Sequence, residues 1–211
     1  METVQDLVDA FREDEKDAVA PYFWSDAQLV RWARQAADRF CEITRSVYDS
    51  TSSFTTIDVR AGDDVFPRHA SIIDIVSAVI EGPNGRALDI LAPGQYPAHC
   101  LPSYGMTKAV VVDDASLRIH PPAPHDFTLR LEVTRRPLRR LELQSKLTDV
   151  PTSAREDLLL FLKHRAYRVS DAEVFDPAKA ADYLQEFEQA CQRHYEVAQR
   201  ARRPGTIRFR W

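Results

Sequence analysis

The chain has 211 residues, 44% hydrophobic and 28% charged, which is enough for one large domain or two small ones with a buried core. Its formal net charge of -4 speaks against a protein that clamps duplex phosphates, because that mode of binding needs a concentrated basic surface. No apolar run approaches the roughly 20 residues that cross a bilayer, and the acidic opening METVQDLVDAFREDEKD is unlike a signal peptide, so a cytosolic protein with no membrane partner is expected.

Charge is unevenly placed. Glu2, Asp6, Asp9, Glu13, Asp14, Glu15, Asp17 and Asp26 face only Arg12 and Lys16 at the start, whereas Arg193, Arg200, Arg202, Arg203, Arg208 and Arg210 face Glu196 at the end. Opposite signs of this kind can steer one copy or a partner toward another; solvated helix faces are the alternative.

In chain order, Val4, Leu7, Val8 and Phe11 follow Thr3 at helical spacing and predict a short helix that ends near Pro21. A second helix is expected at Ser25, which can cap the amides while Gln28 reaches back and Trp24 staples onto Leu29. Leu29, Ala33, Ala36, Phe40, Ile43 and Val47 then form one apolar stripe, with Trp32 off it and free to face another element.

From 51 to 149 the period changes to that of a β module. Residues 54–59 and 128–133 alternate, with Leu129, Leu131 and Val133 toward a core; residues 71–80, 108–112 and 117–119 read as further antiparallel strands. Turn signals fall at residues 61–64, 82–85 and 121–124, and residues 91–105 read as a long loop. Short strands with frequent turns suggest a small sandwich or barrel.

Helical patterning returns after Pro151, with a capping box expected at Ser153 and Glu156 ahead of a central helix through residues 158–162. Asp176 and Pro177 mark a last helix with the stripe Ala181, Leu184, Phe187, Cys191, Tyr195 and Ala198, stopped by Pro204 and Gly205. The expected fold class is α+β: residues 1–50 and 150–203 form an antiparallel helical bundle, 51–149 an inserted antiparallel β-sandwich or barrel-like module, and 204–211 an extended tail.

Catalytic and metal chemistry find little footing. His69, His99, His120, His125, His164 and His194 are scattered without paired ligand spacing, and Cys41, Cys100 and Cys191 form no C-x-x-C, so neither a metal nor a disulfide framework is indicated. No nucleophile elbow, phosphate loop or dinucleotide fingerprint occurs, so no cofactor is expected; His99-Cys100 has no defined geometry for a base and a thiol. Asp113-Asp114 reads as a hairpin turn, although a carboxylate pair in the β module serving a small glycan hydrolase is the alternative function.

Residues 4–12 followed by Trp24-Ser25-Asp26 and a long helix, the segment 117–124, Val150-Pro151 before residues 156–167, and Asp176-Pro177 together resemble the head-to-tail adaptors of short-tailed bacteriophages, of the tail tubular protein A kind. The resemblance covers nearly the whole chain. It implies a non-enzymatic virion protein, assembled in the host cytoplasm and located in the neck or tail. It also implies a ring of about twelve copies joined to a portal protein and to a tail or nozzle protein, with DNA only in passage. Beyond that pattern, Ile207, Phe209 and Trp211 alternate with Arg208 and Arg210 after Arg202 and Arg203, and these seven are the candidate partner-binding residues. Extended, residues 204–211 reach roughly 25 Å, enough to add a strand to a partner's sheet edge; a frayed terminus is the alternative.

Ser25→Ala is expected to lower stability by about 1 kcal/mol in urea unfolding, through loss of the helix cap. A change near zero would place the helix start elsewhere.

Overall fold

The computed structural model describes residues 1–82, 85–95, 106–170 and 174–202, with backbone alone at 201 and 202. The fold is α+β, and the chain divides into two compact units, Met1–Val47 with Arg136–Trp211, and Tyr48–Arg135.

In the first unit, α1 (Val4–Asp14) opens with a reciprocal cap: the Asp6 amide donates to Thr3 Oγ1 at 3.2 Å and the Thr3 amide to the Asp6 carboxylate at 3.1 Å. The helix stops at Asp14, well before Pro21, because Lys16 turns left-handed at φ 59°. In α2 (Asp26–Thr44), Ser25 and Gln28 form the expected cap, with amide bonds of 3.3 and 3.0 Å. Leu29, Ala33, Ala36 and Phe40 are fully buried. Ile43 and Val47 are only half-buried, since the helix ends at Thr44 and Arg45 adopts φ 47°. Trp32 is also buried, which fits a helix that packs on α1 and on the two later helices at once. Trp24 meets Phe11 edge-on at 5.2 Å.

Helix α3 (Leu158–Ala166) starts later than expected. A 3-10 turn takes up Thr152–Ala154, and the Ser153–Glu156 capping box does not form. This helix packs on α1, α2 and α4 (Pro177–Arg202), so its broad apolar run is used on several sides. At the start of α4 the Lys179 amide donates to Asp176 Oδ1 at 3.0 Å. Its buried residues include Ala180, Phe187, Ala190 and Cys191, while Ala181, expected in the stripe, is exposed. Ala180 is seven residues from Phe187 and so about 20° around the helix, whereas Ala181 is six away and about 120° off.

Residues 136–149 were expected within the β module but group with the helices. The Val4 amide donates to the Ser145 carbonyl at 2.9 Å, the Leu147 amide to the Glu2 carbonyl at 3.0 Å, and Leu141 and Leu147 are buried. Backbone pairing with the start of α1 therefore holds this segment, and nothing in its own periodicity announces that.

The second unit contains two sheets. In one, β9 (Phe127–Arg135) pairs antiparallel with β4 (Ile72–Ile80) on one side and with β1 (Tyr48–Asp49) and β2 (Thr56–Val59) on the other, and β5 (Arg86–Ala87) continues from β4. The other has the order β3 (Val65–Pro67), β8 (Ser116–His120), β7 (Ala109–Val112), β6 (Asp89–Leu91). Leu129, Leu131 and Val133 from the first sheet share one core with Val110, Leu117 and Ile119 from the second.

Three details depart from expectation. Strands β6 and β7 run parallel, so the module is not wholly antiparallel; of the expected 91–105 loop, residues 96–105 lie outside the described residues. Strand β4 buries Ile72, Ile75 and Ala78 at intervals of three, because register shifts between Ile72 and Asp74 and between Ile75 and Ser77 each set an additional residue against β9. Residues 53–55 form a 3-10 turn, leaving the strand at Thr56.

Two buried ion pairs tie these units internally. Arg12, 6% exposed on α1, donates from Nη1 to Asp17 Oδ2 at 2.8 Å and from Nη2 to the Trp24 carbonyl and Asp26 Oδ1 at 2.9 and 2.7 Å, with its guanidinium over the Tyr22 ring. In the β unit, Asp49 accepts from the amides of Thr51 and Ser52, the Ser52 hydroxyl at 2.7 Å and Arg135 Nε at 2.7 Å. Burial alone would raise this carboxyl; the four hydrogen bonds outweigh it and hold it well below the usual range.

Arg12→Met is expected to cost about 3–5 kcal/mol in urea unfolding, since it strands the Asp17 carboxylate in the interior. Asp49→Asn should cost about 2–3 kcal/mol near neutral pH. Because the folded-state pKa of Asp49 is depressed, its contribution is complete above its unfolded value of about 4 and fades as pH falls through the folded value. The gap between wild type and Asp49→Asn should therefore narrow below that pH, as measured by unfolding across a pH series.

Candidate functional site

Of the seven predicted partner-binding residues, Arg202 closes α4 and only its backbone is described. Arg203, Ile207, Arg208, Phe209, Arg210 and Trp211 lie outside the described residues, as do His99 and Cys100.

Three of the described histidines are engaged within the fold. His69 stacks on Phe54 at 4.3 Å with Nδ1 at 2.7 Å from Ser71 Oγ, and His194 Nε2 lies 2.8 Å from Asp157 Oδ2. His164 is buried with Nδ1 at 2.7 Å from the Ala180 carbonyl; burial pushes its pKa down, against the pull of that carbonyl. Cys41 and Cys191 are buried and in no disulfide, and burial pushes the Cys191 thiol up to about 12, far from a reactive thiolate. No group of three His, Cys, Asp or Glu side chains among the described residues could hold a metal ion.

Lys163, Tyr167, Lys179 and Glu15 cluster where α1, α3 and α4 meet, with the Tyr167 hydroxyl donating to Glu15 Oε2 at 2.6 Å and Lys163 Nζ 2.7 Å from Asp14 Oδ2. Lys163 stays above its usual value because its pairing with Asp14 outweighs burial, and Lys179 does so chiefly through Tyr167. Burial first, then Glu15, raises Tyr167. All three shifts oppose general-base work, and the cluster ties helices together.

Three clefts concern recognition. In the β unit, one of about 380 Å³ holds Glu81 and Asp126, but Glu81 pairs with Arg130 and Asp126 accepts the Ala61 amide at 2.8 Å. A second, of about 570 Å³, is lined by Phe54, Ile57 and Phe66 and offers one carboxylate, Asp58. Glycan hydrolysis needs one carboxylic acid and one carboxylate flanking the bond; both carboxyls of the first cleft already have protein partners, and the second cleft offers one. Asp113-Asp114 closes the β7–β8 hairpin, with the Asp113 amide donating to the Ser116 carbonyl at 2.9 Å. The third cleft, about 290 Å³, is in the helical unit between α2 and residues 137–141 and is lined by Arg34, Asp38, Arg139 and Arg140.

With surfaces rather than a catalytic centre in view, comparison with known families is decisive: the model of the SU10 adaptor protein family matches residues 2–210. The chain belongs to the SU10 adaptor protein family. It is thus a bacteriophage structural adaptor, a class of virion assembly protein. A search of curated proteins found no match. No helix among the described residues is long and apolar enough to cross a membrane.

For an adaptor, the informative residues are those that face other proteins, and sequence reading overlooked Arg139 and Arg140. Their signal was present as Arg135-Arg136-Pro137-Leu138-Arg139-Arg140, a short basic run in an acidic chain.

Proposed function

We propose that this adaptor assembles as a ring between portal and tail in the virion neck, lines the passage taken by DNA, and performs no catalysis. The family match over residues 2–210 carries this reading. Engagement of the carboxylates and the burial of the described cysteines are consistent with a scaffold whose work is done by its surfaces. In this reading residues 204–211 are the anchor: Ile207, Phe209 and Trp211 fill pockets along a partner's sheet edge, while Arg208 and Arg210 pair with its carboxylates. The helical bundle, with its inserted β module, provides the body of each ring member, and assembly takes place in the host cytoplasm.

Deleting residues 204–211 should leave unfolding of the described domains unchanged and abolish docking on the portal, as seen by electron microscopy of the purified proteins mixed together. Unchanged docking would reject the anchor.

A further inference from the structure

The helical unit carries an arginine surface that neither the sequence reading nor the family match assigns. Arg31 and Arg34 stand three residues apart on α2 and so share a face. Arg34 Nε donates to the Leu141 carbonyl at 2.5 Å, which fixes residues 137–141 beside α2 and leaves Arg139 and Arg140 exposed on the rim of the third cleft. On α3, which packs against α2, Arg165 lies within electrostatic reach of both Arg168 and Arg31.

These cations lack counter-charges. Among the described residues, the side chains of Arg31, Arg139, Arg140, Arg165 and Arg168 form no hydrogen bond or ion pair, and Arg165 Nε is buried without a partner. Burial first, then Arg168 and Arg31, lowers the pKa of Arg165. One carboxyl, Asp38, lines the cleft beside Arg34, Arg139 and Arg140; burial raises its pKa despite Arg136. Clustered like charges disfavour the isolated fold, and a polyanionic partner relieves that repulsion.

The same unit offers the complement. Asp6, Asp9 and Glu13 follow each other at spacings of 3 and 4, so they lie on one face of α1, with Glu2 just ahead of the helix, and all four are exposed. Hydrogen bonds from the Glu2 and Thr3 amides hold Asp6 below the usual carboxylate range. Among the described residues, Glu2 has Arg155 at 3.2 Å and Asp6 feels the N-terminal ammonium, while no ion pair reaches Asp9 or Glu13.

Building on the ring reading above, we infer that the arginine surface of one copy, centred on Arg31, Arg139, Arg140 and Arg168, receives the acidic α1 face of the next copy. Two different, complementary patches on one chain make a head-to-tail contact, which propagates from copy to copy rather than ending at a dimer. Both patches belong to one compact unit, so the contact does not depend on the β unit.

The test uses the full chain in sedimentation velocity at low and high salt. Wild type should self-associate in low salt and dissociate as salt rises. The double variants Arg139→Glu/Arg140→Glu and Asp9→Arg/Glu13→Arg should each weaken association about tenfold or more, and an equimolar mixture of the two should restore it by alternating copies. All four sites are exposed; if a charge-reversed chain fails to fold by circular dichroism, Arg139→Gln/Arg140→Gln serves instead and should show a smaller loss in the same direction. Wild type that stays monomeric in low salt, or a mixture as weak as its components, overturns the inference. So does duplex DNA binding, read by fluorescence anisotropy, that is lost in Arg139→Glu/Arg140→Glu while self-association is unaffected; the surface then serves phosphates. A ring that assembles on the portal regardless of these substitutions rejects this contact but leaves the proposed function standing, whereas no ring on the portal with wild type rejects that function.

Discussion

The helical unit depends on one buried guanidinium. Arg12 lies on the inner face of α1, and its donors reach Asp17, the Trp24 carbonyl and Asp26, so one side chain spans the loop between α1 and α2 and fixes where the second helix begins. Asp17 in turn accepts the amides of Phe23 and Trp24 at 2.7 and 3.3 Å. The loop backbone is thereby given partners that the helices themselves cannot provide, and Trp24 is held in place to pack on Phe11. A planar, forked donor is required here, which a lysine ammonium cannot imitate.

A comparable device closes the β unit on itself. Asp49 and Arg135 stand near the first and last residues of that unit, and their pairing joins β1 to the end of β9 just where the chain arrives and leaves. Core burial from Leu129, Leu131 and Val133 supplies the non-directional stabilisation, while the ion pair sets the register at the margin, where apolar contacts run out. Each unit thus combines an apolar core with a desolvated charge pair, which fixes the α1–α2 loop in the helical unit and joins the ends of the β unit.

Function in such a molecule is a property of surfaces. The polar groups that might have served chemistry are committed: His164 to a backbone carbonyl, His194 to Asp157, Glu81 to Arg130, and Tyr167 to Glu15. Among the described residues, the side chains of Arg31, Arg139, Arg140, Arg165 and Arg168 have no partner, and Asp9 and Glu13 on α1 have no ion pair. Charge separation within one compact unit is costly to maintain without a partner and is well suited to ordered addition of identical copies.

Sequence alone determined the features governed by neighbours a few residues apart. Thr3, Ser25 and Asp176 were legible as helix starts because a cap is satisfied within four residues, and the alternation of β9 was legible because a regular strand has period two. The start of α3, the register shifts of β4, the parallel β6–β7 pair and the attachment of residues 136–149 to the helices were decided only by tertiary structure. Each of these is fixed by partners distant in sequence: β9 sets the phase of β4, and α1 supplies the backbone groups that hold residues 145–147. The candidate surface follows the same division. Its basic run could be read from residues 135–140, but the convergence of Arg31 and Arg165 beside it required α2 and α3 to pack, since periodicity records which face a residue occupies and not which other element that face will meet.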